Sequence, residues 1–344
     1  MTRRINLALQ GGGAHGAFTW GVLDCLLEDE DIEVAAISGT SAGALNGAAY
    51  KAGLLSGGRQ GAKDSLDQLW TQVGRLDEAR LTDWIFPGLP IVAAMADAVA
   101  EMSPFSPQGI MAQLVSPYAW GAAWQNPLED VVRRLDFTRV CAKDGPKLFV
   151  GATNVRTGKI RIFAGDDIGP EALMASACLP TAFQAVELMD PKSGQMESYW
   201  DGGYAGNPAL FPLYAKDLPD DVVIVSINPM RRDEVPKSPI EIQNRINEIS
   251  FNASLLGELR SIEFVKKLIR QGTLERGTMK EVLVHFIADE ALMNDLSATS
   301  KMFPTSTLLH RLRAAGRTAA AAFLQSHRGD IGKRASIDMT ALFG

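Results

Sequence analysis

The chain has 344 residues, 46% of them apolar and 22% charged, enough to bury a sizeable core as one large or two modest domains. A formal net charge of -6 argues against a nucleic-acid partner, which requires a basic stripe, and against tight attraction to anionic membranes. The three cysteines, Cys25, Cys141 and Cys178, are scattered without C-x-x-C spacing and read as reduced thiols, with no disulfide and no metal site. The apolar run after Arg3 and Arg4 is too short for a signal-peptide core, and no stretch reaches the roughly 18 apolar residues of a spanning helix. A cytoplasmic protein is expected.

The first fifty residues alternate between strand and helix patterns. Ile5–Leu9 is a buried-strand run, followed by a glycine turn and a helix from Ala17 to Glu28 with Phe18, Val22, Cys25 and Leu26 on one face. Val34–Ile37 reads as a second strand, Gly39–Gly43 as a tight turn and Ala44–Ala52 as a second helix. That succession is the signature of a parallel sheet with crossover helices. Residues 54–64 are glycine-rich and polar and read as a loop.

Residues 65–136 carry helical patterns broken by Pro87, Pro90, Pro104, Pro107 and Pro117, and hold Trp70, Trp84, Trp120 and Trp124. This insertion is either a cap over an apolar-substrate site or a set of helices packed on the sheet. The sheet resumes at Lys147–Asn154 and Ile160–Ala164 as a hairpin-like pair, and a short helix over Ala172–Ala177 ends before Pro180. Val222–Asn228 is a β-branched buried strand. Ile242, Ile246, Ile249, Leu256, Leu259, Ile262 and Val265 predict one long amphipathic helix over residues 240–270. Leu283–Ala288 is a late strand and Thr305–Gln325 a C-terminal helix. The expected organisation is an α/β catalytic domain over residues 1–230 and a mainly helical extension, 231–344, packed on the same domain.

Two glycine turns carry the chemistry. Gly11, Gly13 and Gly16 match G-x-G-x-x-G directly after the first strand, a pattern that commonly cradles a pyrophosphate. Gly39, Ser41 and Gly43 match G-x-S-x-G between a strand and a helix, the context of a nucleophile elbow. A dinucleotide fold wants an acidic residue at the end of its second strand, but Asp31 and Glu33 precede that strand and Ser38-Gly39-Thr40-Ser41 follows it. An oxyanion hole is the better reading: backbone N–H groups after one strand face a serine on the turn after its neighbour.

A serine nucleophile needs a base. His285 lies in the apolar run "VLVHFIA" and reads as a strand-core residue, His310 sits on a helix face beside Arg311 and Arg313, and His327 is near the C-terminal end. Asp201, in "YWDGGYAGNP", follows a short aromatic strand and precedes tight glycine turns, which leave its carboxylate at the sheet's edge. Alone it reads as an ordinary Asp-Gly turn; beside Ser41 and the glycine triplet it is the better base.

Together, Gly11-Gly12-Gly13-Ala14-His15-Gly16, Gly39-Thr40-Ser41-Ala42-Gly43 and Asp201-Gly202-Gly203 resemble the patatin-like phospholipases, and "MASACLPTAFQAVEL" looks like the segment before that family's catalytic aspartate. The resemblance runs from Ile5 to about Pro212. It implies a three-layer α/β/α sandwich with a mostly parallel central sheet, and an acyl hydrolase with Ser41 as nucleophile and Asp201 as proton acceptor. By the same resemblance the oxyanion hole draws on Gly11, Gly12, Gly13 and Ala14, with His15, Gly16, Gly39, Gly43, Gly202 and Gly203 supporting the motifs. No metal or organic cofactor is implied. The implied partner is an acyl lipid met in transient contact at a membrane interface. Family members often carry Arg or Lys where this chain has His15, and a histidine supplies that charge only when protonated. A carboxylesterase or polyester hydrolase on the same scaffold, and a non-catalytic nucleotide- or lipid-binding module, are the alternatives.

Overall fold

A computed structural model describes residues 2–76, 117–118 and 126–339. The chain enters on strand β1 (Arg3–Leu9), turns through Gln10–Gly12 and a 3-10 turn at Gly13–His15 into helix α1 (Gly16–Leu26), and returns on β2 (Ile32–Thr40). Helix α2 (Ala42–Gly74) starts directly after Ser41. Residues 54–64, expected as a loop, are helical except at Gly57 and Gly58, where non-helical torsions (φ -148° and +63°) kink α2. The glycines bend the helix locally because the apolar positions on either side, from Leu45 to Ala52 and from Ala62 to Val73, remain packed.

Among the described residues, two short helices come next, α3 (Leu128–Arg133) and α4 (Phe137–Val140), and lead into the hairpin of β3 (Lys147–Asn154) and β4 (Ile160–Ala164). Helix α5 (Pro170–Ser176) precedes a second hairpin, β5 (Val186–Asp190) with β6 (Gln195–Asp201). Then come β7 (Asp221–Val225), the long helix α6 (Pro239–Arg270), β8 (Leu283–Ile287), the short α7 (Glu290–Asp295) and α8 (Ser306–His327). Most of the proline- and tryptophan-bearing insertion, including Trp84, Trp120 and Trp124, lies outside the described residues. Its candidate role as a cap lies there too.

Among the described residues the sheet has eight strands, in the order β5-β6-β3-β2-β1-β7-β8 with β4 also paired to β3. The block β3-β2-β1-β7-β8 is parallel, and antiparallel pairing is confined to β4, β5 and β6. Side chains alternate across it. Leu7, Leu9, Ile37, Val223 and Val225 face a core shared with α1, α2 and α8, whereas Ala8, Ala36, Val222 and Ile224 face a second core with Leu255 and Leu259 of α6. Two cores on opposite faces of one sheet make the three-layer α/β/α sandwich. Strand β8 carries the region after residue 230 into that same sheet.

Helix α6 departs from its sequence pattern. Its core face is Phe251, Leu255, Leu259, Ile262 and Ile269, whereas Ile242, Ile246 and Ile249 are 42–55% exposed. The apolar positions therefore form two stripes. In the N-terminal half, the buried side is taken by polar residues, Glu248 and Asn252, for a reason found in the site below.

Candidate active site

Register alone brings Ser41 and Asp201 together. Strands β2 and β6 pair with the same edge of β3, because β4 holds the other edge over Phe149–Thr153. Thr40, the last residue of β2, pairs with Gly151, and Asp201, the last residue of β6, pairs with Ala152. The two strands run toward each other, so their carboxyl ends meet. The Ser41 hydroxyl lies close enough to the Asp201 carboxylate to favour its charged form.

Ser41 is held in an unusual backbone conformation (φ 53°, ψ -125°), the sole non-glycine positive φ among the described residues. The turn around it is too tight for side chains. A Cβ on Gly43 would lie 2.1 Å from the Leu9 carbonyl oxygen, and one on Gly11 would lie 2.7 Å from Ser41 Cβ. The elbow and the glycine loop are thus in direct contact, as the two motifs required. Ser41 N–H donates to Ser176 Oγ at 2.9 Å, and Ser176 Oγ donates to the Gly151 carbonyl at 2.6 Å. Ser176, in the "MASACLP" stretch, is therefore the buttress of the elbow, a role its sequence position did not disclose.

Asp201 is buried, 1% exposed. Its carboxylate accepts from Gly203 N–H at 2.7 Å, and its own N–H donates to the Cys178 carbonyl at 2.7 Å. Burial pushes its pKa up to about 7, although the bonds from Gly203 and Ser41 favour the charged form. A carboxyl with that pKa can take a proton from serine near neutrality and return it.

The glycine loop has its own fastenings. Gly11 N–H donates to Asn207 Oδ1 at 2.7 Å, so this amide, one of the four expected oxyanion donors, is already engaged. Among the described residues, the N–H groups of Gly12, Gly13 and Ala14 have no acceptor. Gln10 Oε1 accepts from Ile227 N–H (2.9 Å) and Asn228 N–H (3.1 Å), and Gln10 Nε2 donates to Asn252 Oδ1 of α6 (3.2 Å). These buried amides explain why α6 turns polar residues inward.

His15 is 1% exposed. Burial first, then the charge of Lys301, push its pKa down to about 3, so it carries no charge near neutrality. Ser300 Oγ donates to the Ser297 carbonyl (2.6 Å), which leaves His15 Nε2 as the donor to Ser300 Oγ (2.7 Å). A cation does lie nearby. Lys301 Nζ, from the C-terminal region, bonds Glu248 Oε1 at 3.1 Å, and Glu248 is also held by Arg232 (2.7 and 3.0 Å) and Arg245 (3.3 Å). Burial alone would raise Glu248, but these partners hold its pKa at about 2.

Ser41, Gly13 and Ala14 open on a cavity of about 110 Å³ whose walls are largely apolar, among them Leu45, Leu69, Trp70, Val73, Phe183 and Met302. The other three histidines are elsewhere. His285 lies on β8, three strand spacings from β2, roughly 14 Å, and bonds Asp221 Oδ1 at 2.9 Å. His310 is exposed on α8, and His327 bonds Asp330 at 3.0 Å. Among the described residues no group of His, Cys, Asp and Glu is placed to hold a metal ion, and no helix is long and apolar enough to cross a membrane.

These features define an α/β protein with a serine at a strand–helix elbow, between a glycine loop and a buried carboxyl. The patatin-like phospholipase family model matches residues 7–214, and the chain belongs to that family. Lipid hydrolysis is the coarse activity this membership supports. Among solved structures the chain is similar to VipD from Legionella pneumophila, with 15% identity and a TM-score of 0.41 over 94% of this chain and 67% of that one. It is also similar to the heterodimeric ExoU–SpcU complex of the type III secretion system of Pseudomonas aeruginosa, with 18% identity and a TM-score of 0.30 over 96% of this chain and 61% of that one. A comparison with curated proteins gives no significant match.

Proposed function

We propose that the chain hydrolyses carboxylic ester bonds of phospholipids or related acyl lipids through an acyl-Ser41 intermediate on a Ser41–Asp201 dyad. Asp201 accepts the proton as Ser41 Oγ attacks the ester carbonyl. The oxyanion is met by the free N–H groups of Gly12, Gly13 and Ala14, with part of the acyl chain in the apolar cavity. Collapse expels the alcohol, which takes the proton from Asp201. Water, deprotonated by Asp201, then attacks the acyl-enzyme, and Ser41 is restored. The dyad step needs no metal or organic cofactor.

One observation carries this reading: strand register sets the serine held at positive φ beside a buried carboxyl whose pKa burial raises to about 7. Three free thiols, Cys25, Cys141 and Cys178, support a reducing compartment, and we place the protein in the cytoplasm on that ground. The test is labelling with a fluorophosphonate and mapping of the adduct. Ser41 should carry it, and His285→Gln should retain turnover of a soluble ester. An unlabelled Ser41 in folded protein removes the nucleophile from the mechanism.

A further inference from the structure

The region beyond the family-matched residues reaches the glycine loop at several points, and one of these contacts is a chain of bonds that begins at a cation. Lys301 Nζ donates to Asn228 Oδ1 at 3.4 Å, and Asn228 Nδ2 donates to the Gly11 carbonyl oxygen at 2.7 Å. That carbonyl belongs to the same peptide unit as Gly12 N–H, one of the free donors facing the position of the oxyanion. The Lys301 main chain is pressed on the same loop: a Cβ on Gly13 (φ +59°) would lie 2.3 Å from the Lys301 carbonyl oxygen. Gly13 thus accepts the contact and the backbone angle that another residue would refuse.

We propose that Lys301 and Asn228 are positioning residues that polarise the Gly11–Gly12 peptide, so that a fixed charge from the C-terminal region strengthens and aims the Gly12 N–H. This rests on the oxyanion role proposed above. A hydrogen bond accepted by a peptide carbonyl draws charge toward oxygen and makes the N–H of that unit a better donor. The effect is larger when the chain of bonds begins at an ammonium group. Burial lowers the Lys301 pKa from its ordinary value, and the Glu248 carboxylate beside it opposes that loss and favours the ammonium. The Lys301 side chain is 15% exposed, and Asn228, Asn244 and Glu248 supply three acceptors for its three protons. The neutral His15 leaves the loop without a charge of its own, and Lys301 supplies one from a distant part of the chain. Preorganised donors matter most where charge appears only in the transition state, so the benefit falls on kcat and not on KM.

The test combines kinetics with a spectroscopic readout that does not depend on turnover. Lys301→Met removes the charge while Glu248 keeps Arg232 and Arg245, so the fold should survive; Asn228→Ala removes the closer donor to the Gly11 carbonyl and leaves Asn207 Nδ2 at 3.3 Å. Each should lower kcat for a soluble ester roughly 10-fold with KM unchanged, less than the roughly 10²–10³ for losing an oxyanion donor outright. Lys301→Arg should recover most of the loss. Because Lys301 acts through Asn228, the double variant should be no slower than Asn228→Ala alone. In 15N-glycine-labelled protein, the Gly12 amide proton should move upfield in both single variants. A rise in KM, multiplicative losses in the double variant, or an unmoved Gly12 amide each overturns the relay. An inactive wild type refutes the proposed function instead, and the Gly12 shift still decides the relay.

Discussion

Replacing Asp201 by Asn separates the chemical role of this carboxyl from its cost to the fold. The side chain is completely enclosed, and burial raises its pKa from 3.8 to about 7. In the unfolded chain Asp201 ionises near 3.8; in the folded chain it stays protonated until about 7. A raised folded pKa makes its stabilising contribution fully present below pH 3.8 and lost as pH rises to about 7. The window spans about three pH units at about 1.4 kcal/mol each, so the wild type loses on the order of 4 kcal/mol relative to Asp201→Asn across it. The asparagine keeps an oxygen to accept from Gly203 N–H and carries no charge to desolvate. Urea denaturation of both proteins from pH 4 to pH 8.5 should show matched stability at the acid end and a growing advantage for the variant, flat above pH 7. Ester turnover by the variant should be abolished throughout, whereas wild-type kcat/KM should rise with pH through an ionisation near 7. A stability difference that does not change with pH would falsify the reasoning, since it would mean that Asp201 is already ionised in the fold well below 7.

Three further outcomes follow from the geometry. Ser41→Gly should abolish turnover yet raise stability by about 1 kcal/mol in thermal melts, because glycine relieves the positive φ of the elbow. Gly43→Ala should destabilise by several kcal/mol or prevent folding, since its Cβ meets the Leu9 carbonyl at 2.1 Å; soluble yield and melting temperature report it. Glu248→Gln should cost about 3–5 kcal/mol near neutrality, because it leaves Arg232, Arg245 and Lys301 crowded without their shared anion. The depressed pKa of Glu248, about 2 against 4.5, stabilises the fold above 4.5 and is lost as pH falls toward 2, so this variant should show a flatter acid limb in denaturation.

The two glycine motifs and Asp201 were legible because each is a local backbone requirement with a short sequence signature. A turn after a buried strand, a serine between two glycines and an Asp-Gly-Gly step need no knowledge of the rest of the chain. The strands around them were legible for a similar reason: β3 carries the apolar run Leu148–Ala152 and β4 is apolar except at Arg161, and their bounds match Lys147–Asn154 and Ile160–Ala164. The glycine-rich 54–64 segment was misread because composition cannot tell a loop from a helix kinked at two residues. The strand β5 escaped notice because its residues alternate between half-buried and exposed until Asp190.

By itself, then, the sequence determined the alternation of strand, turn and helix, the G-x-S-x-G turn, the glycine loop and the Asp-Gly-Gly step. Only the tertiary structure decided which amides of the loop are free, since Asn207 takes Gly11 from a position 196 residues away. It also decided that His15 is neutral, that Ser176 braces the elbow, and that Lys301 and Glu248 stand behind the loop. Those facts depend on burial and on contacts between distant segments, whose energies arise only when the two cores close around the sheet. Local periodicity records which face of an element is apolar; it carries no record of which polar side chains will meet across the sheet's carboxyl ends.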